Sequence, residues 1–310
     1  MATPNLFNYA TSELSQDAFI LWLLAWANPL ENLDNDQKHL HDASIAFVKL
    51  LLGIDEPISS VDCKKQENHI DVLAIVNKKY ALIIEDKTDT SEHDEQLQRY
   101  SNLVNKNPEY ANLELHCVYF KTGNESKHKL TRLTKRYQKN NPTAHFRVIL
   151  RSDILSILST EQYPTHNAIF VDYVKHIEKL EKSTQSYKKK VMADWGSRAW
   201  QGFFLELEDK LGEGDWAYVN NPSGGFWGFW WNSVDVSSDI KLYFQIEQSR
   251  ICIKAISKGS YRPKSDWTKK LILAAKGYGI KISRPQKLRI GKTMTLAILD
   301  VDSFTAVGFI

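Results

Sequence analysis

The order of apolar and polar positions in the first 185 residues switches between helical and strand periods. Apolar residues three or four positions apart predict helices over 12–26 and 36–52. Asn28-Pro29 and Gly53 follow these helices and are typical of helix ends. Short aliphatic and aromatic runs predict strands, and the basic segment between the last two strands has no predicted element. The predicted strands are 58–66, 70–76, 80–87, 113–120 and 145–150. Three later helices are predicted: 92–104, a helix that begins at Ser152 or Asp153, and 165–182.

The segment 180–193 is the predicted domain boundary, because it loses the apolar period and carries three consecutive lysines. Beyond it the pattern predicts a helix near 195–211, aromatic-rich strands, a helix near 266–276 and two final strands. The aromatic-rich strands include 226–231, 241–247 and 251–257. We therefore predict a mixed α/β domain over 1–185 and a smaller α+β domain, basic and aromatic-rich, over 194–310.

Two neighbouring strands carry carboxylates where buried strands would normally be apolar. The runs 70–76 (IDVLAIV) and 80–87 (YALIIEDK) are apolar on both faces, as in strands covered by helices on both sides. A three-residue turn over 77–79 would pair them as a hairpin with Asp71 directly opposite Glu85, on one face of the sheet.

The same register decides where the neighbouring charged residues point. Lys87 shares the face of Glu85 because it lies two residues further along the strand, and Asp86 points the other way. A two-residue turn would instead place Asp71 beside Asp86, since a slip of one residue reverses the face.

Opposed carboxylates on such strands repel each other and resist ionisation. Either an ion pair with Lys87 or a bound divalent cation would relieve the repulsion. Hard cations such as Mg²⁺ prefer oxygen ligands, often one or two carboxylates completed by water and substrate phosphate. A metal held in this way suits phosphoryl chemistry, in which a nearby lysine orients water or stabilises developing charge.

The net charge of the 310 residues is only +3, but it is spread unevenly. Residues 1–62 hold nine acids and two lysines, whereas residues 121–147 hold eight basic residues and one acid. Residues 241–292 hold fourteen basic residues and two acids. This asymmetry indicates a polyanionic partner, although basic side chains also serve simply to solvate an exposed surface.

The cysteines and the apolar runs indicate the cellular compartment of the protein. Cys63, Cys117 and Cys252 are far apart and form no C-x-x-C pair, so we expect reduced thiols and no structural zinc. The apolar run 18–27 is too short to span a bilayer. The N-terminus lacks the features of a signal peptide, and we predict a cytoplasmic protein without a membrane partner.

The motif residues resemble a known family. Asp71, thirteen further residues and then Glu85-Asp86-Lys87 are similar to the D…(D/E)-x-K signature of the PD-(D/E)XK nuclease superfamily. The next predicted helix carries Gln96 and Tyr100, which resemble the Q-x-x-x-Y motif of its RecB-like branch. The resemblance covers roughly residues 10–180 in element order and implies a restriction-endonuclease-like mixed sheet flanked by helices.

The resemblance also implies roles for individual residues. Asp71 and Glu85 would bind Mg²⁺, which Mn²⁺ could replace, with the backbone carbonyl of Asp86 as a further ligand. Lys87 would orient or activate the attacking water. Gln96 and Tyr100, one helical turn apart, would contact the phosphate or the metal-bound waters. Glu13 in the first helix is the candidate for an additional metal ligand, and Asp17 lies one turn later on the same stripe.

Each of these positions also has an ordinary structural explanation. The charged strand residues could form a structural ion-pair cluster or belong to an inactivated nuclease. Glu13 could be a helix-start acid, Gln96 a solvated helix position and Tyr100 a core residue. The nine histidines (39, 41, 69, 93, 116, 128, 145, 166 and 176) show no metal-type spacing, and only His93 is kept as a minor candidate near the site.

Basic residues that follow strand 113–120 are candidates for contacts with nucleic-acid phosphates. These candidates are Lys121, Lys127, Lys129, Arg132, Lys135 and Arg136. In the C-terminal part, basic residues alternate with Tyr243, Tyr261, Trp267 and Tyr278, which could stack on bases or, more often in such modules, form a core.

The sequence therefore predicts a Mg²⁺-dependent nuclease that hydrolyses phosphodiester bonds in DNA, with RNA as an open alternative substrate. The resemblance suggests bacterial phage defence, restriction or repair as its setting. A homodimer or a partner protein from a defence complex also remains open. The alternative from another class is a catalytically inactive protein of the same fold that binds or senses nucleic acid.

Overall fold

The computed structural model describes residues 4–10, 12–65, 70–90, 96–221, 224–248, 250–257, 265–287 and 291–299. The chain divides into two compact units. Residues 1–125 and 129–185 form the first unit, and residues 126–128 and 186–310 form the second. Within the described ranges, no helix has both the length and the apolar character needed to cross a membrane.

Six α-helices and five strands precede residue 185 in the described chain. The helices are α1 (Glu13–Ala25), α2 (Asn35–Leu52), α3 (Gln96–Lys106), α4 (Lys127–Asn140), α5 (Arg151–Ile157) and α6 (Ala168–Thr184). The strands are β1 (Val61–Lys65), β2 (Val72–Val76), β3 (Tyr80–Lys87), β4 (Glu114–Lys121) and β5 (His145–Leu150). They form one sheet in the order β1-β2-β3-β4-β5, antiparallel from β1 to β3 and parallel from β3 to β5.

Both faces of this mixed sheet are covered by helices. One face packs against α1, α2, α5 and α6 through a core that includes Leu23, Phe47 and Phe170. The other face packs against α3 and α4, where Leu97 and Tyr137 contribute to a second core. All eight residues of β3 are buried, which explains why its sequence is almost continuously apolar. The predicted mixed α/β fold is confirmed.

Local signals fix the ends of α2. Asp34 accepts a hydrogen bond from the backbone N–H of Gln37, whose side chain in turn accepts one from the Asp34 N–H, and this forms a capping box. The helix ends at Gly53, whose φ of 69° lies in the left-handed region that glycine adopts readily. The prediction that Gly53 stops this helix is confirmed.

The helix α4 corrects the sequence analysis, which assigned no element to the basic segment after β4. Its sequence KHKLTRLTKRYQKN is mostly charged or polar, and this masked the helical period. Leu130, Leu133 and Tyr137 recur at helical spacing and pack on the sheet, while the basic residues occupy the rest of the helix surface.

The second unit is built on a six-stranded antiparallel sheet. Its described elements are α7 (Ser197–Leu211), β6 (Asp215–Val219), β7 (Phe226–Ser237), β8 (Ile240–Glu247), β9 (Arg250–Ser257), α8 (Ser265–Gly277), β10 (Ile282–Ser283) and β11 (Thr293–Leu299). The strand order is β10-β11-β9-β8-β7-β6. Phe204 of α7 and Leu271 of α8 belong to two clusters that cover one face of the sheet. The strand β6 was not predicted, because the turn-rich sequence around GEGDW hides its short apolar run.

Candidate active site

The hairpin of β2 and β3 sets the geometry of the site. Val76 pairs with Tyr80 across the turn. The ladder then runs without a shift to Ile84 opposite Val72. Three residues, 77–79, therefore connect the strands, and the predicted register is confirmed. The two-residue turn is excluded, because it would have moved every pair by one residue.

Continuing this register by one pair places Asp71 opposite Glu85. The backbone N–H of Asp86 donates a hydrogen bond to Asp71 Oδ2 at 3.2 Å, which holds the carboxylate against the end of β3. The carboxyl groups of Asp71 and Glu85 lie within hydrogen-bonding reach of each other. The strand pairing thus brings the two predicted metal ligands together.

Lys87 completes this group from the same face of β3. Its Nζ lies 2.5 Å from Glu85 Oε1 and 3.7 Å from Glu13 Oε2. Lys87 is only 5% exposed and Glu85 is fully buried, so the ion pair is largely shielded from solvent. We call Asp71, Glu85 and Lys87 the catalytic cluster, after the roles that the resemblance implies for them.

Burial raises the pKa of both carboxyl groups, and the charge of Asp71 adds to the rise at Glu85. Desolvation is the largest cause for Glu85, followed by the charge of Asp71, and together they raise the pKa of Glu85 to about 8. Desolvation also raises the pKa of Asp71, although Lys87 and the N–H of Asp86 oppose the rise. A proton therefore competes with any cation for this pair near neutral pH.

The pKa of Lys87 responds to opposing influences. Burial alone lowers it, but the hydrogen bond to Glu85 and the charges of Glu85, Glu13 and Asp71 outweigh burial, and the net pKa is raised. The ammonium group is therefore positive throughout the physiological range. In this arrangement Lys87 donates hydrogen bonds and supplies charge, and it does not accept a proton.

The helix α3 brings Gln96 and Tyr100 to the cluster on the same face of the sheet, where Tyr100 packs with Leu73 and Ile83. The two side chains are hydrogen-bonded to each other. Desolvation, followed by the charges of Glu85 and Asp71, raises the pKa of Tyr100 to about 12. Tyr100 is also 4% exposed and belongs to the second core, so it both packs and faces the cluster.

The start of α1 brings Glu13 close to the same end of β3. Glu13 Oε1 accepts hydrogen bonds from Thr90 Oγ1 at 2.7 Å and from the backbone N–H of Thr88 at 3.3 Å. Its other oxygen faces Lys87, and the side chain is one-third exposed. Glu13 therefore borders the cluster and offers one oxygen to it.

A second carboxyl pair, missed by the sequence analysis as a pair, lies on the other face of β3. Asp86 points toward α1, as predicted from strand alternation, and its carboxyl lies within hydrogen-bonding reach of Asp17. Gln16 donates to Asp86 Oδ1 and accepts from Thr122 Oγ1 at 3.1 Å. The position of Asp17 on the same helical stripe as Glu13 was the one sequence feature that pointed to this pair. No sequence feature distinguished Gln16.

Desolvation also dominates the second pair. It raises the pKa of Asp17 to about 7, with a further rise from Asp71, and it raises the pKa of the fully buried Asp86 well above the ordinary range. The two pairs thus influence each other across the strand. Proton sharing within the Asp17–Asp86 pair would keep it at low net charge beside the catalytic cluster.

Several buried oxygens at this site have no hydrogen-bond donor among the described residues. They are Glu85 Oε2, Asp86 Oδ2 and Asp17 Oδ1. Buried acceptors without donors cost free energy unless they are protonated or bind a cation. Asp71 and Glu85 provide convergent, oxygen-only ligands on an apolar strand layer, and this donor set fits Mg²⁺ or Mn²⁺.

The basic candidates fall into two groups. Lys121 is 1% exposed and donates to the Thr90 carbonyl, and burial lowers its pKa to about 8, so it belongs to the interior and not to a solvated phosphate-binding surface. The other five lie on α4, where Lys127 is paired with Asp209. Among them, Lys129, Arg132 and Arg136 line an open cavity of about 470 Å³.

This cavity adjoins the catalytic cluster through β4. It is also lined by Tyr119, which is paired with Glu85 in the parallel β3–β4 register. The basic side chains of α4 thus stand one strand away from the buried carboxylates. We call the group of Lys129, Arg132 and Arg136 the α4 basic group.

The histidines require one correction. The sequence shows no metal-type spacing, but His116 and His145 are stacked side by side next to Glu114 in the fold. Pairing of β4 with β5 brings them together from 29 positions apart, which sequence spacing could not show. His69, His93 and Tyr261 lie outside the described residues.

Comparison with known proteins agrees with this geometry. The model of a family in the PD-(D/E)XK nuclease superfamily matches residues 5–189, which is more than half of the chain and includes every residue of both carboxyl pairs. Neither the curated proteins nor the solved structures gave a match.

Proposed function

Because the chain belongs to the PD-(D/E)XK nuclease superfamily, we propose that it hydrolyses phosphodiester bonds in DNA with the help of Mg²⁺. The observation that carries the proposal is the convergence of Asp71, Glu85 and Lys87 on one buried face of the hairpin. Members of this superfamily are nucleases that typically use divalent metals. Glu85 Oε2 receives no hydrogen bond from the described residues, which supports the binding of a divalent metal at this site.

Asp71, Glu85 and the backbone carbonyl of Asp86 would hold the metal, and Glu13 stands close enough to assist through a water. A divalent ion held there would neutralise phosphate charge and lower the pKa of a coordinated water. Mn²⁺ would serve in place of Mg²⁺, because both accept carboxylate oxygens.

Lys87 has a defined part in this proposal. Because its pKa is raised, its ammonium group would orient the attacking water and stabilise the negative charge that builds on the phosphate. Binding of a cation by Glu85 would weaken the present Lys87–Glu85 ion pair and free Lys87 to face the substrate.

Gln96 and Tyr100 would position the scissile phosphate from α3. Their mutual hydrogen bond fixes the Tyr100 hydroxyl beside the carboxylates. The raised pKa keeps this hydroxyl protonated, so it acts as a donor to phosphate oxygen or to a water. Both residues support membership of the branch with the Q-x-x-x-Y motif, which we propose for this chain.

The α4 basic group would hold the nucleic-acid backbone next to the cluster. Its three positive side chains line a cavity that is open to solvent, which suits phosphate contacts without sequence readout. Lys127 and Lys135 lie elsewhere on the surface of α4 and would add further phosphate contacts, whereas Lys121 donates to the Thr90 carbonyl in the interior.

The wider setting that we propose is a cytoplasmic enzyme of bacterial defence, restriction or repair. It rests on the resemblance of the motif residues, and the three free cysteines are compatible with a reducing compartment. DNA is the preferred substrate, RNA is the alternative, and a second copy of the chain or a defence protein is the proposed type of partner.

One observation favours a second candidate, an inactive protein that binds nucleic acid. The Lys87–Glu85 ion pair already satisfies part of the cluster without a cation. An inactive protein would bind DNA but would show no metal-dependent turnover. A shift of the unfolding temperature by Mg²⁺ or Mn²⁺ that Glu85→Ala abolishes would favour the nuclease over this candidate.

The test is a cleavage assay on single- and double-stranded DNA and RNA with Mg²⁺ or Mn²⁺. We expect Asp71→Ala, Glu85→Ala and Lys87→Ala each to reduce cleavage by at least about 100-fold. Asp62→Ala, which removes an exposed acid on β1, serves as the control and should leave cleavage unchanged. Cleavage that persists undiminished in all three cluster variants would reject the proposal.

A further inference from the structure

A cluster of two imidazoles and one carboxylate lies on the five-stranded sheet, away from the catalytic cluster. Glu114 Oε1 lies 3.3 Å from His116 Nε2 and 3.0 Å from His145 Nε2. The two rings are stacked at a centroid distance of 4.6 Å. One ligand atom from each side chain lies within 4.8 Å of the others.

The strand register explains this convergence. Glu114 and His116 are two residues apart on β4 and share a face, and His145 is the direct partner of His116 on β5. In the β3–β4 register His116 lies beside Leu82, three residues before the Glu85 level, which is about 10 Å along the strand. Leu82 and Glu85 point to opposite faces, so the two sites are separate.

We propose that Glu114, His116 and His145 bind a transition-metal dication of the zinc class. Two imidazole nitrogens and one carboxylate oxygen form a ligand set typical of Zn²⁺ with one open position. Contacts of 3.0–3.3 Å are close to the spacing of ligands around a tetrahedral ion with bonds of about 2.0–2.1 Å. Glu114 and His145 are partly exposed and can adjust, while the buried His116 is held in place.

The environment of His116 supports this site. His116 is only 3% exposed, and its ring is stacked against that of His145. Tyr80 contacts the ring edge-on at 5.1 Å and limits its rotation. A bound ion would tie β4 to β5 and brace the segment between them, which contains α4.

The test follows the unfolding temperature during titration with Zn²⁺. We expect saturating Zn²⁺ to raise it by about 5 °C in the wild type and in Glu85→Gln, which lacks the catalytic carboxylate. His145→Ala should lose the shift, and Glu114→Gln should need at least about tenfold more Zn²⁺. His166→Ala, an exposed histidine elsewhere on the first unit, should keep the shift.

Co²⁺ provides an independent readout, because its visible absorption is much stronger in a tetrahedral protein site than in water. Bands that appear with Glu85→Gln and vanish with His145→Ala would support the site. An absent shift with Zn²⁺, or an equal shift in His145→Ala, would overturn it. A shift lost in Glu85→Gln but kept in His145→Ala would assign the ion to the catalytic cluster and also overturn it.

A separate observation concerns the second unit, where one face of the six-stranded sheet forms an open groove of about 1200 Å³. Strand alternation gives β8 two different faces. Phe244 and Ile246 pack toward the core that contains α7, whereas Tyr243 and Gln245 line the groove.

The groove combines half-buried aromatic rings with positive charge. Buried Glu247 holds Arg250 at 2.7 Å and Lys254 at 2.8 Å. Arg284 and Lys287 are exposed at its edge. Its aromatic lining residues are Phe226, Trp230 and Tyr243. Its ionic lining residues therefore carry four positive charges against one negative charge.

We infer that this groove binds single-stranded nucleic acid. The aromatic rings would stack on unpaired bases, and the basic side chains would contact the backbone. The excess positive charge complements a polyanion, and the rings favour a strand with exposed bases over a duplex. This inference does not require the chain to cleave its ligand.

The test measures fluorescence anisotropy of a labelled 20-nucleotide single strand in EDTA with Glu85→Gln, so that catalysis plays no part. We expect Trp230→Ala and the double charge reversal Arg284→Glu/Lys287→Glu each to weaken binding by at least about tenfold. Lys269→Glu/Lys276→Glu, a matched reversal on α8, should change affinity less than threefold. Equal losses in both double variants, or binding unaffected by Trp230→Ala, would overturn the inference.

Discussion

Metal affinity at the catalytic cluster should depend steeply on pH. Glu85 must lose its proton to bind a cation, and the pKa of its carboxyl is raised to about 8. At pH 7 about nine in ten molecules therefore hold this proton, which costs about 1.4 kcal/mol of apparent binding free energy. We expect the apparent Kd for Mg²⁺ to weaken about tenfold for each pH unit below 8. The raised pKa of Asp71 should add to the slope at the acidic end.

Isothermal titration of Mg²⁺ at pH 6, 7 and 8 measures this dependence directly. Repeating each titration in two buffers of different ionisation enthalpy should show about one proton released per ion at pH 7. The His145→Ala variant excludes a contribution from the imidazole cluster, and Glu85→Gln should show no binding. An affinity that changes less than twofold between pH 6 and 8 would refute this electrostatic description.

Three further predictions follow from the same contacts. Lys87→Ala should reduce cleavage at least about 100-fold yet bind Mg²⁺ at least as tightly, because a competing positive charge is removed. Glu85→Gln should raise the unfolding temperature of the metal-free protein by about 5 °C at pH 8 and about 1–2 °C at pH 5. Arg132→Ala/Arg136→Ala should weaken DNA binding and reduce the slope of log K against log salt by about 1–2, whereas Lys182→Ala on α6 should not.

The sign of the Glu85→Gln effect follows from proton linkage. The pKa of Glu85 is higher in the folded protein than in the unfolded chain, so the folded state binds more protons between about pH 4.5 and 8. Its contribution to stability is therefore lost as pH rises through this window, and a neutral amide avoids the loss. A glutamine variant less stable than wild type at pH 8 would contradict this reasoning. Weakened Mg²⁺ binding in Lys87→Ala would contradict the proposed charge competition.

The hairpin shows how far a sequence can specify a site. The apolar runs on either side of 77–79 predict a hairpin but leave its register open, because both faces of each strand are apolar. The structure has the three-residue turn, and this register determines the approach of Asp71 to Glu85. Strand alternation then correctly separates Asp86 from Lys87. The spacing of four residues between Gln96 and Tyr100 likewise predicted one shared helix face.

The order of apolar and polar residues could not predict contacts between distant elements. Gln16 meets Asp86 only because α1 packs on the sheet, and no local pattern distinguishes it from a surface glutamine. Lys121 reads as part of a basic surface but is buried, since it ends a strand whose neighbours cover it. His116 and His145 become neighbours only through the parallel pairing of β4 with β5.

The anomalous scattering of Mn²⁺ in crystals grown with this ion tests the central claim most directly. A Mn²⁺ peak coordinated by the carboxylates of Asp71 and Glu85, with the Lys87 ammonium nearby, is the expected result. A cluster that stays free of Mn²⁺ at saturating concentration, with the Lys87–Glu85 ion pair intact, would contradict the assignment of a metal-dependent nuclease site.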